Sequence, residues 1–189
     1  SSKMKTSLTF SALVLATLYT GTVSSSCGSS CPSGWHRILD SCIWLSGDQK
    51  DFDSAQQQCA QLVHNGRLFE PKNRLQNDLV STLVKSLQPS NAWIGITDRQ
   101  SEGRWEYLSS GKVTSFSDWA PGQPDDGMGT QDCAQFWFQY EYMRNVTFDE
   151  DNVRRGIWDD MFCTSRLHYV CEQPLTGLCK QLVYSFLKI

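Results

Sequence analysis

Eight cysteines, Cys27, Cys31, Cys42, Cys59, Cys133, Cys163, Cys171 and Cys179, constrain what this chain of 189 residues can fold into more than any other feature. No CxxC pair or Cys/His cluster offers a zinc site, and His36, His64 and His168 are scattered. The cysteines therefore read as a disulfide framework formed in an oxidising compartment. All eight follow a stretch in which Met4 and Lys5 lead into an apolar run, Leu8 to Leu18, and then small residues around Val23, Ser24 and Ser25. That is the pattern of a secretory signal peptide. Neither this run nor any later one reaches the roughly 18 apolar residues of a spanning helix. The expectation is a leader over 1–26, with Ser1 to Lys3 set aside as preceding the first methionine, and a secreted, extracellular protein without membrane insertion.

A formal net charge of −3 with no Lys/Arg block leaves no basic stripe for nucleic acid or anionic lipid. The length and seven Trp suffice for one core, placed over 27–179. The tail, 180–189, carries Leu182, Val183, Phe186 and Leu187, a set suited to packing back or to self-association.

Along that domain the texture changes once. Trp35 to Leu45 reads as an opening hairpin closed by Cys31 and Cys42. A first helix, capped by Asp51 or Asp53, runs through Leu62 with Phe52, Ala55, Cys59 and Leu62 on one face. A second is expected from about Asn73 to Leu87, where Leu75, Leu79, Leu83 and Leu87 recur every four residues with Val80 and Val84 beside them, until Gln88-Pro89-Ser90 stops it. Beyond it AWIGITD, RWEYL, CAQFWF and HYVCE are short strand-like runs. Helices first and strands later make an α+β domain.

The stretch APGQPDDGMGTQDC, 120–133, gathers oxygen-bearing side chains between glycines. Calcium takes about six to eight oxygen ligands, mostly carboxylates, amide carbonyls and water, and this stretch supplies such a set. Gly/Pro/Asp-rich stretches are also ordinary turns, and QPDD alone is a turn more often than a ligand set.

WIGITD at 93–98, the loop with GQPDD, IWDDMFC at 157–163 and the cysteine order together resemble the C-type lectin-like domain over roughly Cys31 to Glu172. The resemblance implies two helices with small antiparallel sheets, a long calcium-binding loop and three bridges: Cys31 to Cys42, the mark of the long form, Cys59 to Cys171, and Cys133 to Cys163. Cys27 and Cys179 are left to pair with each other or with another subunit. Carried over position by position, the sugar-binding calcium site falls on Gln123, Asp125, Gln131, Asp159 and Asp160, with a cis bond before Pro124. A second calcium site falls on Asp98, Glu102, Asp126, Gln131 and Asp132. The family has a glutamate where Gln131 stands and an asparagine where Asp159 stands. The two exchanges keep three carboxylates at the sugar-site ion but remove one from the second, which is expected to be weaker.

In such sites two neighbouring sugar hydroxyls coordinate the ion, each donating to an acid ligand and accepting from an amide ligand. The resemblance associates Gln-Pro-Asp with galactose-type ligands, galactose or N-acetylgalactosamine. Here Gln131 and Asp159 reverse the second acid/amide pair as well, which restores a like-paired layout and predicts mannose tolerance. Gly127 and Met128 stand where galactose sites place a stacking Trp, leaving Phe136, Trp137, Phe138, Tyr140 or Tyr142 to substitute. The insertion around 141–156 carries the glycan acceptor Asn145-Val146-Thr147.

The resulting expectation is a secreted calcium-dependent lectin for cell-surface or microbial glycans, of use in innate immunity, with avidity from a disulfide-linked or non-covalent homo-oligomer. The alternative is a lectin-like structural, protein-binding or mineral-binding module without sugar recognition. An enzyme is disfavoured, because carboxylates held ionised by calcium are poor proton donors.

Overall fold

The computed structural model of the protein describes residues 31–87, 90–138 and 156–175. Strands β1 (His36–Ile38) and β2 (Ser41–Leu45) form the opening hairpin, followed by helix α1 (Phe52–Leu62), β3 (Arg67–Leu68) and helix α2 (Arg74–Leu87). Then come β4 (Ala92–Thr97), β5 (Glu106–Tyr107), β6 (Lys112–Val113), a 3-10 turn at Gly127–Gly129, β7 (Cys133–Phe136), β8 (Trp158–Met161) and β9 (His168–Pro174).

The strands run β1-β2-β9-β4-β5-β6, with β3 on β9 and the β7/β8 pair on β4. Neighbours are antiparallel except β4 and β9, whose short parallel ladder (Ala92 opposite His168, Trp93 opposite Tyr169) joins the antiparallel pieces into one network. That ladder divides the core in two. On one side Phe52, Ala55 and Cys59 of α1 pack with Leu68, Trp93 and Tyr169. On the other, Val80 and Val84 of α2 pack with Ile94, Ile96, Phe136 and Trp158. Gly95 of β4 has no room for a side chain, since a Cβ would lie 2.8 Å from the Leu68 carbonyl oxygen.

Asp51 is the cap of α1, its carboxylate accepting from the Ser54 amide and hydroxyl, both at 2.9 Å. Two readings of helix faces need correction. Leu62 does not share the inward face of Phe52, Ala55 and Cys59, because it sits in the last turn and is 39% exposed. The leucine row of α2 is not its core face either: Leu75, Leu79 and Leu87 are exposed, and the buried residues are Asn77, Val80, Ser81 and Val84. Asn77 tilts the helix face, and its polar side chain is the reason. Its amide donates to Asp118 Oδ2 and to the Gly156 carbonyl, both at 3.0 Å, and its oxygen accepts from Trp158 Nε1 at 2.8 Å.

Bridges Cys31–Cys42, Cys59–Cys171 and Cys133–Cys163 staple the hairpin, α1 to β9, and β7 to the segment after β8. Cys27, Cys179 and Asn145 lie outside the described residues, as does most of the 141–156 insertion. Among the described residues no helix is long and apolar enough to cross a membrane.

Candidate functional site

The 120–133 loop is held at both ends by β8 and its approach. The Ala120 amide donates to the Trp158 carbonyl, and the Trp158 amide to that of Asp118, each at 2.8 Å. Trp119 and Trp158 meet edge to face at 5.5 Å. Through Trp158 and Asp118 the loop base is also tied to Asn77, so α2 buttresses it from behind.

The Gln123-Pro124 bond is cis. Beyond it the Asp160 carboxylate grips the loop, accepting from the Asp125 amide at 3.1 Å and the Asp126 amide at 2.7 Å. Asp126, with φ of 44°, turns its own carboxylate back to accept from the Gln131 amide at 3.1 Å. Gln131 in turn accepts from the Gly127 amide through Oε1. A Cβ at Gly127 would meet the end of that Gln131 side chain and displace it from its bond to the Gly127 amide. Met128 at the tip is almost fully exposed.

Asp159 and Asp160 are neighbours on β8 and do different jobs. Asp160 faces the loop, whereas Asp159, opposite Gln135 on β7, accepts from its Nε2 at 2.8 Å. Gln135 is fully buried, and its remaining oxygen has no hydrogen-bond partner. Burial pushes the Asp159 carboxyl up to about 6, with the charges of Asp160 and Asp125 adding to the rise and the Gln135 amide opposing it. Burial is also the main cause of the upward shift of Asp160, with Asp125 contributing. Asp125, Asp159 and Asp160 are therefore close enough to repel one another. Gln123, two residues before Asp125 in the same loop, has a buried, unpartnered Oε1.

A second acidic group lies where β4 meets β7. Carboxylate oxygens of Asp98, Glu102 and Asp132 come within 4.8 Å of one another. Asp98 Oδ2 accepts from the Gly103 amide at 2.9 Å, while its buried Oδ1 has no partner. Burial raises the Asp98 carboxyl to about 6, and the Glu102 and Asp132 charges push in the same direction. The segment is fixed by Thr97, whose hydroxyl donates to the Asp132 carbonyl at 2.7 Å and accepts from the Arg99 amide. Asp126 is not drawn into this triad. Its carboxylate is engaged with the loop backbone instead.

The donor chemistry fits a hard divalent cation such as calcium. The buried oxygen of Asp98 without a partner stands among carboxylates, Gln123 Oε1 is buried and unpartnered on the loop, and the ionised forms of Asp98 and Asp159 are disfavoured by burial and neighbouring charge. A cation relieves both. Sequence reasoning missed Gln135, Thr97 and Gly103. The signal for Gln135 was present, as the one amide in the run CAQFWF. Of the aromatics considered for stacking, Phe136 and Phe138 are core residues, Trp137 is half-buried, and Tyr140 and Tyr142 lie outside the described residues.

A two-helix, disulfide-stapled domain with a long acidic loop braced by β8 is a C-type lectin-like architecture. The family profile described as the Lectin C-type domain matches residues 48–173, and the chain belongs to that family. It is 28% identical over 144 residues to the perlucin-like protein of Mytilus galloprovincialis, covering 75% of this chain and 81% of that one. It is 27% identical over 149 residues to the galactose-specific lectin nattectin of Thalassophryne nattereri, covering 78% and 82%. The carbohydrate-recognition domain of the mouse scavenger receptor C-type lectin has the same fold, with a TM-score of 0.62 at 23% identity over 78% of this chain and 99% of that domain. Some other relatives are longer, and the chain spans less than half the length of those. The chain is thus a C-type lectin domain, one of a family of binding modules rather than enzymes, and it is not an enzyme.

Proposed function

We propose that the protein is a secreted calcium-dependent lectin that binds terminal galactose or N-acetylgalactosamine, tolerates mannose, and recognises cell-surface or microbial glycans. The observation that carries this reading is the group of mutually repelling carboxylates of Asp125, Asp159 and Asp160, together with a buried, unpartnered Gln123 Oε1 on the same loop. That is an oxygen set waiting for a cation. Gln123, Asp125, Gln131, Asp159 and Asp160 would hold the sugar-site calcium, and Asp98, Glu102 and Asp132 a second one, with Asp126 contributing to it only by leaving its bond to the loop. Bound calcium supplies a Lewis-acidic centre for two neighbouring sugar hydroxyls. The chain's own part is orientation: Asp125 and Asp159 would accept hydrogen bonds from those hydroxyls, and the amides of Gln123 and Gln131 would donate them. The name of the galactose-specific relative points the same way, as does Gln-Pro-Asp itself.

Glycan-array binding in calcium and in chelator tests the reading. Binding to galactose-type and weaker binding to mannose-type arrays, all lost in chelator, is expected. Strict galactose binding would remove the mannose element, and binding that persists in chelator at pH 7 would overturn the mechanism. A second reading, a lectin-like module without sugar recognition, is favoured by one observation: the loop backbone already occupies Gln131 Oε1 and both Asp160 oxygens. Asp125→Ala separates the two, since it abolishes sugar binding in the first case and leaves binding to a protein or mineral partner unchanged in the second. Avidity would come from oligomers cross-linked through Cys27 or Cys179. A single monomer band with and without reductant would reject that cross-link.

A further inference from the structure

The guanidinium of Arg99 rests on the Cys133–Cys163 bridge. Its Nε donates to Cys163 Sγ at 3.3 Å and its Nη2 to Cys133 Sγ at 3.4 Å, so both sulfurs carry a charged N–H donor. Two further contacts fix the side chain in that pose. Asp53 of α1 accepts from Nη1 and Nη2, each at 2.9 Å, and the guanidinium carbon lies 5.1 Å from the centre of the Phe52 ring. Among the described residues no donor reaches the sulfurs of Cys31–Cys42 or Cys59–Cys171 in this way.

A disulfide opens when a thiolate attacks one sulfur and the other departs as a thiolate, and the exchange is faster the better the departing thiolate is stabilised. An adjacent arginine favours thiolate over thiol. The two sulfurs of this bridge are not equivalent, because Cys163 is half-buried and Cys133 fully buried. An entering thiolate therefore reaches Cys163, and Cys133 is the leaving sulfur, with Arg99 Nη2 already directed at it. Burial by itself disfavours a thiolate at Cys133, and the guanidinium opposes that. Asp53 draws on the same guanidinium, but its side chain is 65% exposed, so water screens its charge more than that of a thiolate inside the fold. Access alone does not single this bridge out, since Cys31 is half-buried too, whereas Cys59 and Cys171 are both fully buried. The cation does.

We propose that Cys133–Cys163 is a thiol-exchange site, at which a low-molecular-weight thiol joins Cys163 as a mixed disulfide and releases Cys133 as a thiolate paired with Arg99. The bond between the two cysteine sulfurs breaks as the bond from the entering sulfur to Cys163 forms, and the proton of the entering thiol goes to solvent. This step is an exchange without net oxidation, and a second thiol attacking the mixed disulfide completes a two-electron reduction of the bridge. The test is a time course of the folded full chain in reduced glutathione, quenched with N-ethylmaleimide and read by peptide mapping. Glutathione on Cys163 with maleimide on Cys133 should appear several-fold faster than any adduct on Cys31, Cys42, Cys59 or Cys171. Arg99→Gln should slow that product several-fold and leave the Cys31–Cys42 rate unchanged, and Arg99→Lys should restore part of the rate. Damage to the fold would expose the bridge and speed its opening, so slowing reads the guanidinium itself. If Arg99→Gln does not fold, the order in which the three bridges of the native chain open carries the test. Another bridge opening first, glutathione on Cys133 in place of Cys163, or a rate in Arg99→Gln equal to or above the native one would overturn the proposal.

Discussion

Asp98 and Asp159 are each raised to about 6 by burial first and neighbouring charge second, while in the unfolded chain they have the ordinary value near 3.8. Between those values the folded, metal-free protein binds more protons than the unfolded one, so stability is fully present below about pH 4 and is lost as pH rises through 6. Asp160 and Glu172, also raised by burial, add to the same slope. Asp48 and Asp51, which are lowered, complete their titration below this window. In chelator the melting temperature should therefore be lower at pH 7 than at pH 5, and Asp98→Asn should flatten the difference. A higher value at pH 7 would show that these carboxyls are not buried as described. Calcium requires the ionised ligands, so its stabilising effect should run the other way and be larger at pH 7. Gln135 offers a separate test. Gln135→Leu removes the donor to Asp159 and should raise that carboxyl further, so calcium affinity measured by calorimetry falls and its pH midpoint moves upward. An unchanged midpoint would show that the amide does not position Asp159.

Helix α2 connects packing to the site through one polar residue. Asn77→Leu would leave Trp158 Nε1 and the Gly156 carbonyl without their partner inside the core, at a cost of about 1–3 kcal/mol for each unsatisfied group. Urea unfolding should show a loss of about 3 kcal/mol, with weaker calcium binding in the folded fraction because Asp118 and Trp158 brace the loop. Phe136→Ala, a core truncation under the same strand, should cost about 3–5 kcal/mol through the cavity it leaves. If Asn77→Leu proved neutral, the helix would not hold the loop in the way its hydrogen bonds describe.

For the molecule as a whole, the proposed calcium ligands come from the end of β4, the long loop and β8, so calcium binding would be linked to folding. At 100 times its dissociation constant the ion should add about 2.7 kcal/mol, seen as a rise in melting temperature that chelator reverses. A melting temperature indifferent to calcium would count against both sites. The sequence by itself determined the two helices and the α+β order, because these follow from residue type and short-range periodicity, whereas the three bridges and the expected ligand positions were legible only through the resemblance to the C-type lectin-like domain. A cap at Asp51 or Asp53 and the inward Cys59 were legible from the same residue types and periodicity, and the structure chose Asp51. Which side of α2 faces the core was not, because burial of Asn77 depends on Asp118, Gly156 and Trp158, which lie 41, 79 and 81 residues away. Nor could Leu62 be placed, since a helix stripe in the last turn faces the core only if another element covers it. Only the tertiary structure decided that Asp98, Glu102 and Asp132 converge while Asp126 turns to its own backbone. Convergence of charges is set by how β4, β7 and the loop pack, and no local pattern in the chain encodes that distance.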